Sequence, residues 1–92
     1  MRESEIEAYF VRRVEEAGGL QRKFVSPNFR GVADRICGFP GARFAFAELK
    51  RPKKDAEDHQ KREHARWRKL GFIVFVLDTK AAVDVFIDYM TR

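Results

Sequence analysis

Cysteine occurs once, at Cys37, so no disulfide can close within the chain, and the composition suits a reducing cytoplasm. Histidine occurs twice, and two histidines with one cysteine fall short of the four such ligands of a structural zinc site. No apolar run approaches the roughly 20 residues that cross a bilayer, so no membrane role is expected. The opening Met1-Arg2-Glu3-Ser4-Glu5 is acidic and then amphipathic, unlike a secretion signal. The absence of a GxxxxGK[ST] loop excludes an ordinary P-loop nucleotide site. There is no repeat, low-complexity tract or long linker. A chain of 92 residues has room for one sheet with two or three helices, so a single stand-alone domain is expected.

Positive charge is what the chain has in surplus. Lys and Arg number 19 against 14 Asp and Glu, for a net +5. The surplus is local: residues 50–69 carry nine basic and four acidic groups, while the flanking segments nearly balance. A basic stretch of this kind favours an anionic partner, either nucleic acid or a phosphate-rich surface.

Periodicity predicts an αβββαβα order. Ser4 and Glu7 read as a capping box ahead of a helix with Ile6, Phe10, Val14 and Ala17 on one face, ended by Gly18-Gly19. Leu20 to Val25 reads as a short strand, and Ser26 to Gly31 as a loop. Asp34 to Phe39 and Arg43 to Lys50 form a hairpin about Pro40-Gly41. Asp55 is placed to cap a helix running to about Leu70, its inward stripe Ala56, Gln60, His64, Trp67 and Leu70. The unbroken apolar run Phe72 to Leu77 predicts a central strand buried on both sides. Asp78 or Thr79 caps a last helix burying Val83, Phe86, Ile87 and Met90. The expected fold is α/β: a mixed four-stranded sheet with helices on its faces.

The hairpin register carries the chemistry. A turn centred on Gly41 sets Cys37 across from Ala45, Ile36 across from Phe46, and Asp34 across from Glu48. Opposed Cβ atoms lie about 4.5–5.5 Å apart, and two carboxylates that close repel unless a proton or cation sits between them. On the second strand, Phe44, Phe46, Glu48 and Lys50 share a face, and Ala45, Ala47 and Leu49 share the other. Asp34 and Glu48 suit Mg²⁺ or Mn²⁺, which prefer oxygen ligands, with the Leu49 carbonyl as a further donor. Lys50 is placed to orient a water and offset charge on a phosphate. With eight Glu and seven Lys in the chain, a chance Glu-x-Lys is ordinary. The opposed Asp34 gives this one its weight.

These residues resemble the VRR-NUC (virus-type replication-repair nuclease) family of the PD-(D/E)xK nuclease superfamily. The resemblance runs from the first helix to the Phe72–Leu77 strand. It is carried by Gly31-Val32-Ala33-Asp34, by Glu48-Leu49-Lys50 with Pro52, by Gln60, Leu70 and Gly71, and by Glu7. Ala33 stands where the superfamily name implies proline. The resemblance implies a restriction-endonuclease-like core and a metal-dependent endonuclease acting on DNA. It makes Asp34, Glu48 and the Leu49 carbonyl metal ligands, Lys50 the catalytic lysine, Glu7 an additional acid and Gln60 a supporting polar group. Family members with no other domain resemble Holliday-junction resolvases, which implies a homodimer acting on branched DNA in the cytoplasm of a bacterial or phage-infected cell.

Around that centre, Lys53, Lys54, Lys61, Arg62, Arg66, Arg68 and Lys69 are placed for phosphate contact, as is Arg30 in the loop before Asp34. His59 and His64, five residues apart, do not share a helix face as a ligand pair would, and His64 reads as a half-buried packing residue. Cys37 reads as a small core residue. The alternatives to a nuclease are a non-catalytic basic DNA-binding module on the same scaffold, or an accessory subunit of a larger replication complex.

Overall fold

A tight turn at Pro40-Gly41-Ala42 folds the chain back on itself and sets the centre of the sheet. Gly41 and Ala42 both adopt positive φ, +85° and +60°, the left-handed pair whose twist suits a hairpin. The strands it joins are β2 (Arg35–Phe39) and β3 (Arg43–Leu49). Their antiparallel register pairs Arg35 with Ala47, Ile36 with Phe46 and Cys37 with Ala45, as expected. The computed structural model describes all 92 residues. The other elements are α1 (Glu3–Glu16), β1 (Leu20–Lys23), α2 (Asp58–Lys69), β4 (Ile73–Leu77) and α3 (Lys80–Met90), which completes the expected αβββαβα order.

The sheet runs β1-β2-β3-β4. β1 is antiparallel to β2, and β4 is parallel to β3 with α2 as the crossover. Alternation along the strands divides the core in two. Cys37, Ala45, Ala47, Leu49 and Leu77 pack with Ile6, Phe10 and Val14 of α1 and Val83, Phe86, Ile87 and Met90 of α3. On the opposite face Ala33, Phe46 and Val74 form a small cluster flanked by Ile36 and by Trp67 of α2.

Several expectations need correction. β4 is an edge strand, not a central one. Its apolar run reports that both faces are covered, Ile73, Phe75 and Leu77 by the larger core and Val74 by the smaller. The lateral edge is blunted another way. The Leu77 carbonyl faces β3, accepting from Lys50 N–H at 3.0 Å. By strand alternation the Val74 carbonyl points outward, where Arg68 donates to it through Nε and Nη2 at 3.2 and 2.7 Å.

The helix starts also shift. α1 begins at Glu3, and its first turn is closed by Glu5, which accepts from Arg2 N–H at 3.3 Å, rather than by Ser4 and Glu7. α2 is closed by Gln60, whose Oε1 accepts from Glu57 N–H at 2.9 Å; Asp55 instead accepts from Ala56 N–H in the preceding loop. Only Thr79 caps as expected, its hydroxyl accepting from Ala82 N–H at 2.9 Å. On α2, Leu70 sits at the C-cap past the last regular turn and is 72% exposed. Glu63 is buried in its stead, its oxygens satisfied by Trp67 Nε1 at 2.9 Å and Arg66 Nη1 at 3.1 Å.

Candidate active site

The paired register ends at Arg35–Ala47, and Asp34, the residue before β2, lies beside the end of β3, bonded by Leu49 N–H and acted on by the Glu48 charge. Asp34 is tied on both sides. Its backbone carbonyl accepts from Phe24 N–H at 2.8 Å, and its Oδ1 accepts from Leu49 N–H at 3.3 Å. Its carboxyl is pushed up to about 6, first by burial and then by the neighbouring Glu48 charge, against the pull of the Leu49 N–H. The loop leading to it needs glycine at 31. There φ is +90°, and a Cβ would lie 2.7 Å from the His59 carbonyl oxygen at the start of α2.

Glu48 is 4% exposed, and a carboxylate that deep is costly unless partnered. Gln60 Nε2 donates to its Oε2 at 3.2 Å, and Lys50 Nζ lies 3.7 Å from the same oxygen. The Gln60 amide thus bridges the first turn of α2 to the acid on β3. The other oxygen, Oε1, has no hydrogen-bond partner; His64 Nε2 stands 3.8 Å away, beyond bonding distance.

Two opposed carboxylates, one with an unpartnered buried oxygen, fit a hard divalent cation. No set of three or more His, Cys, Asp or Glu side chains converges on a point that could hold a metal. The donor set therefore suits an ion that binds through one or two carboxylates and completes its shell with backbone, water and phosphate oxygens, as Mg²⁺ does.

The structure brings Asp34, Glu48, Lys50 and Gln60 together with the backbone of Leu49, whose side chain is in the core. Glu7 is at the rim. It pairs with Arg35 at 2.9 Å and shares with Asp34, Glu3 and Lys23 a cleft of about 240 Å³. Broader hollows of about 510 and 640 Å³ lie along the outer side of α1 and beside the β2–β3 turn, and neither is lined by a buried polar residue.

The basic residues divide. Arg30, Lys53, Lys54, Arg62 and Lys69 are exposed. Lys53 follows Pro52 with φ +65°, a left-handed conformation uncommon for lysine. Lys61 is engaged with Asp55 at 3.1 Å, Arg66 with Glu63, and Arg68 with the edge of β4.

Two residues escape the sequence reading. His64 is 1% exposed rather than half-buried, and its Nε2 faces Glu48. The sequence placed it on the inward stripe with Gln60, but not against Glu48. Arg35 is 5% exposed and ties Glu7 to Gln21, with a 2.9 Å bond to Gln21 Oε1. Its signal was strand alternation, which turns it away from Asp34 and toward α1.

No protein-family model matches the chain. A phage protein named "Putative nuclease p44", from Acyrthosiphon pisum secondary endosymbiont phage 1, is 44% identical over 80 residues, covering 87% of this chain and 86% of that protein. A solved structure described as "VRR_NUC domain" superposes with a TM-score of 0.87 at 34% identity, covering 95% of each chain.

Proposed function

The chain belongs to the VRR-NUC family, and from that membership we propose that it is a divalent-cation-dependent endonuclease hydrolysing phosphodiester bonds in branched DNA, with a homodimer as its working form. The observation that carries this reading is the buried Glu48 carboxylate, close enough to Asp34 for its charge to raise that acid's pKa, with Lys50 Nζ 3.7 Å from it.

In this reading Asp34, Glu48 and the Leu49 carbonyl hold Mg²⁺ or Mn²⁺. When bound, such an ion polarises the scissile phosphate and lowers the pKa of a water. The Lys50 ammonium then has two tasks: to orient the attacking water, and to offset the negative charge that grows on the phosphate in the transition state. Gln60 keeps the Glu48 carboxylate in place from α2. Glu7, tied to Arg35, lends negative charge at the rim and keeps Arg35 turned from Asp34. Lys53, Lys54, Arg62 and Arg30 contact the DNA backbone, which positions a strand without reading its sequence. Two copies about a two-fold axis would present two such centres to two strands.

The test is cleavage of a panel of four-way junctions, flaps and linear duplexes with Mg²⁺, Mn²⁺ or chelator, alongside the mass in solution. The reading expects cation-dependent cutting of branched DNA by a dimer, lowered at least about 100-fold in Asp34→Ala and in Lys50→Ala. Cutting that survives both substitutions undiminished contradicts it. Salt-sensitive binding without cutting would instead identify a DNA-binding module.

A further inference from the structure

Two polar atoms in the interior lack any partner, Glu48 Oε1 and His64 Nε2. They face each other at 3.8 Å, on side chains 5% and 1% exposed. The separation is too long for a hydrogen bond, and too short for a bridging water, which holds its partners roughly 4.5 Å apart. Buried polar groups rarely go unmatched, so two that point at each other form one feature.

The helix carrying His64 already holds the other oxygen. Gln60, one turn earlier on the same face, donates to Glu48 Oε2 at 3.2 Å. Its amide is oriented by its own oxygen, which accepts from Glu57 N–H at 2.9 Å, so nitrogen is the end that meets Glu48. A neutral imidazole donates from one ring nitrogen only, and here Nε2 is the one aimed at the carboxylate.

We infer that His64 is a positioning residue: its Nε2 carries a proton directed across 3.8 Å at Glu48 Oε1, so that α2 acts on both carboxylate oxygens, by a hydrogen bond on Oε2 and by dipole attraction on Oε1, and fixes the plane in which Glu48 meets a cation. A carboxylate has about four acceptor sites, and this grip leaves the others open. His64 acts through Glu48 and touches neither phosphate nor ion. The inference rests on the proposed cation site and adds to it a residue that tunes it, a role whose loss costs about 10–100-fold in metal affinity.

The experiment pairs a spectroscopic reading with binding. In ¹⁵N-labelled, cation-free protein, a two-bond proton–nitrogen correlation identifies the protonated ring nitrogen of His64. The inference expects Nε2, and an unprotonated Nε2 overturns it. Mn²⁺ binding is then followed by the electron paramagnetic resonance of the free ion in wild type, His64→Leu, His64→Gln and Asp34→Asn. His64→Leu should bind about 10-fold more weakly or worse, and His64→Gln, whose amide nitrogen reaches a similar depth, should recover most of that loss. Equal binding by wild type and folded His64→Leu overturns the inference and leaves the cation site standing. Equal binding by wild type and Asp34→Asn removes the cation site and the inference with it. If the leucine variant does not fold, the glutamine variant and the nitrogen signature decide.

Discussion

On the α1/α3 face of the sheet, twelve buried apolar residues and Cys37 form one cluster, with Phe10 and Phe39 both packed against Phe86. The α2 face buries three apolar residues and, beside them, Glu48, Glu63 and His64. The apolar cluster itself holds no reactive group: burial pushes the Cys37 thiol up to about 12, which keeps it protonated. The second face is poor in apolar contacts and rich in buried polar atoms, two of them unmatched. The contrast teaches that stability and chemistry are separated across a single sheet, with β3 as the shared element. Its alanines and Leu49 serve one face and Phe46 and Glu48 the other.

That separation can be broken most forcefully from the apolar side. Phe10→Ala should lower the unfolding free energy by about 3–5 kcal/mol, read by urea denaturation. Lys50→Ala should weigh the other way, lowering cleavage by about 10²–10³-fold while lowering the urea midpoint less than Phe10→Ala does, the buried Glu48 keeping its bond from Gln60. A Lys50 variant that unfolds as readily as Phe10→Ala would erase the contrast.

A smaller effect sharpens the cost of the polar face. The folded protein keeps a proton on Asp34 up to about pH 6, whereas the unfolded chain loses it near 3.8. Unfolding between those values releases a proton, so stability falls as pH rises from about 4 to 6. The loss should be roughly 1–2 kcal/mol, reduced from the full shift because solvent still reaches this half-buried group. Asp34→Asn should flatten that part of the denaturation profile, and an unchanged slope would refute the assignment. Above pH 6 a divalent cation should restore stability in wild type only.

The smallest effect concerns the charged rim. Arg62→Ala should lower the salt dependence of DNA binding by about one unit of slope. Lys61→Ala should lower it less, because Lys61 is held by Asp55 at 3.1 Å. Equal slopes for the two variants would show that this ion pair opens at no cost when DNA arrives.

How much of this was legible in the sequence follows the range of the signals. The hairpin register was legible because a turn at Gly41 fixes every pair along two strands, down to Arg35 opposite Ala47. The core stripes of α1 and α3 were legible because burial there is wholly apolar. The edge position of β4 was not, since an apolar run reports covered faces and not lateral neighbours. On α2 the inward stripe is mostly polar, so hydrophobic periodicity could not tell Glu63 from Leu70. The caps of α1 and α2 were missed for a related reason: Glu5 and Gln60 close their turns as acceptors for the cap N–H, while the cap positions hold Arg2 and Glu57 rather than Ser, Thr, Asp or Asn.

Anomalous scattering from a crystal grown with Mn²⁺ tests the central assignment most directly. A strong peak is expected about 2.0–2.2 Å from an oxygen of Asp34 and an oxygen of Glu48, weakened or lost in Asp34→Asn. A peak bound elsewhere, or none in protein that cleaves DNA with Mn²⁺, would contradict it.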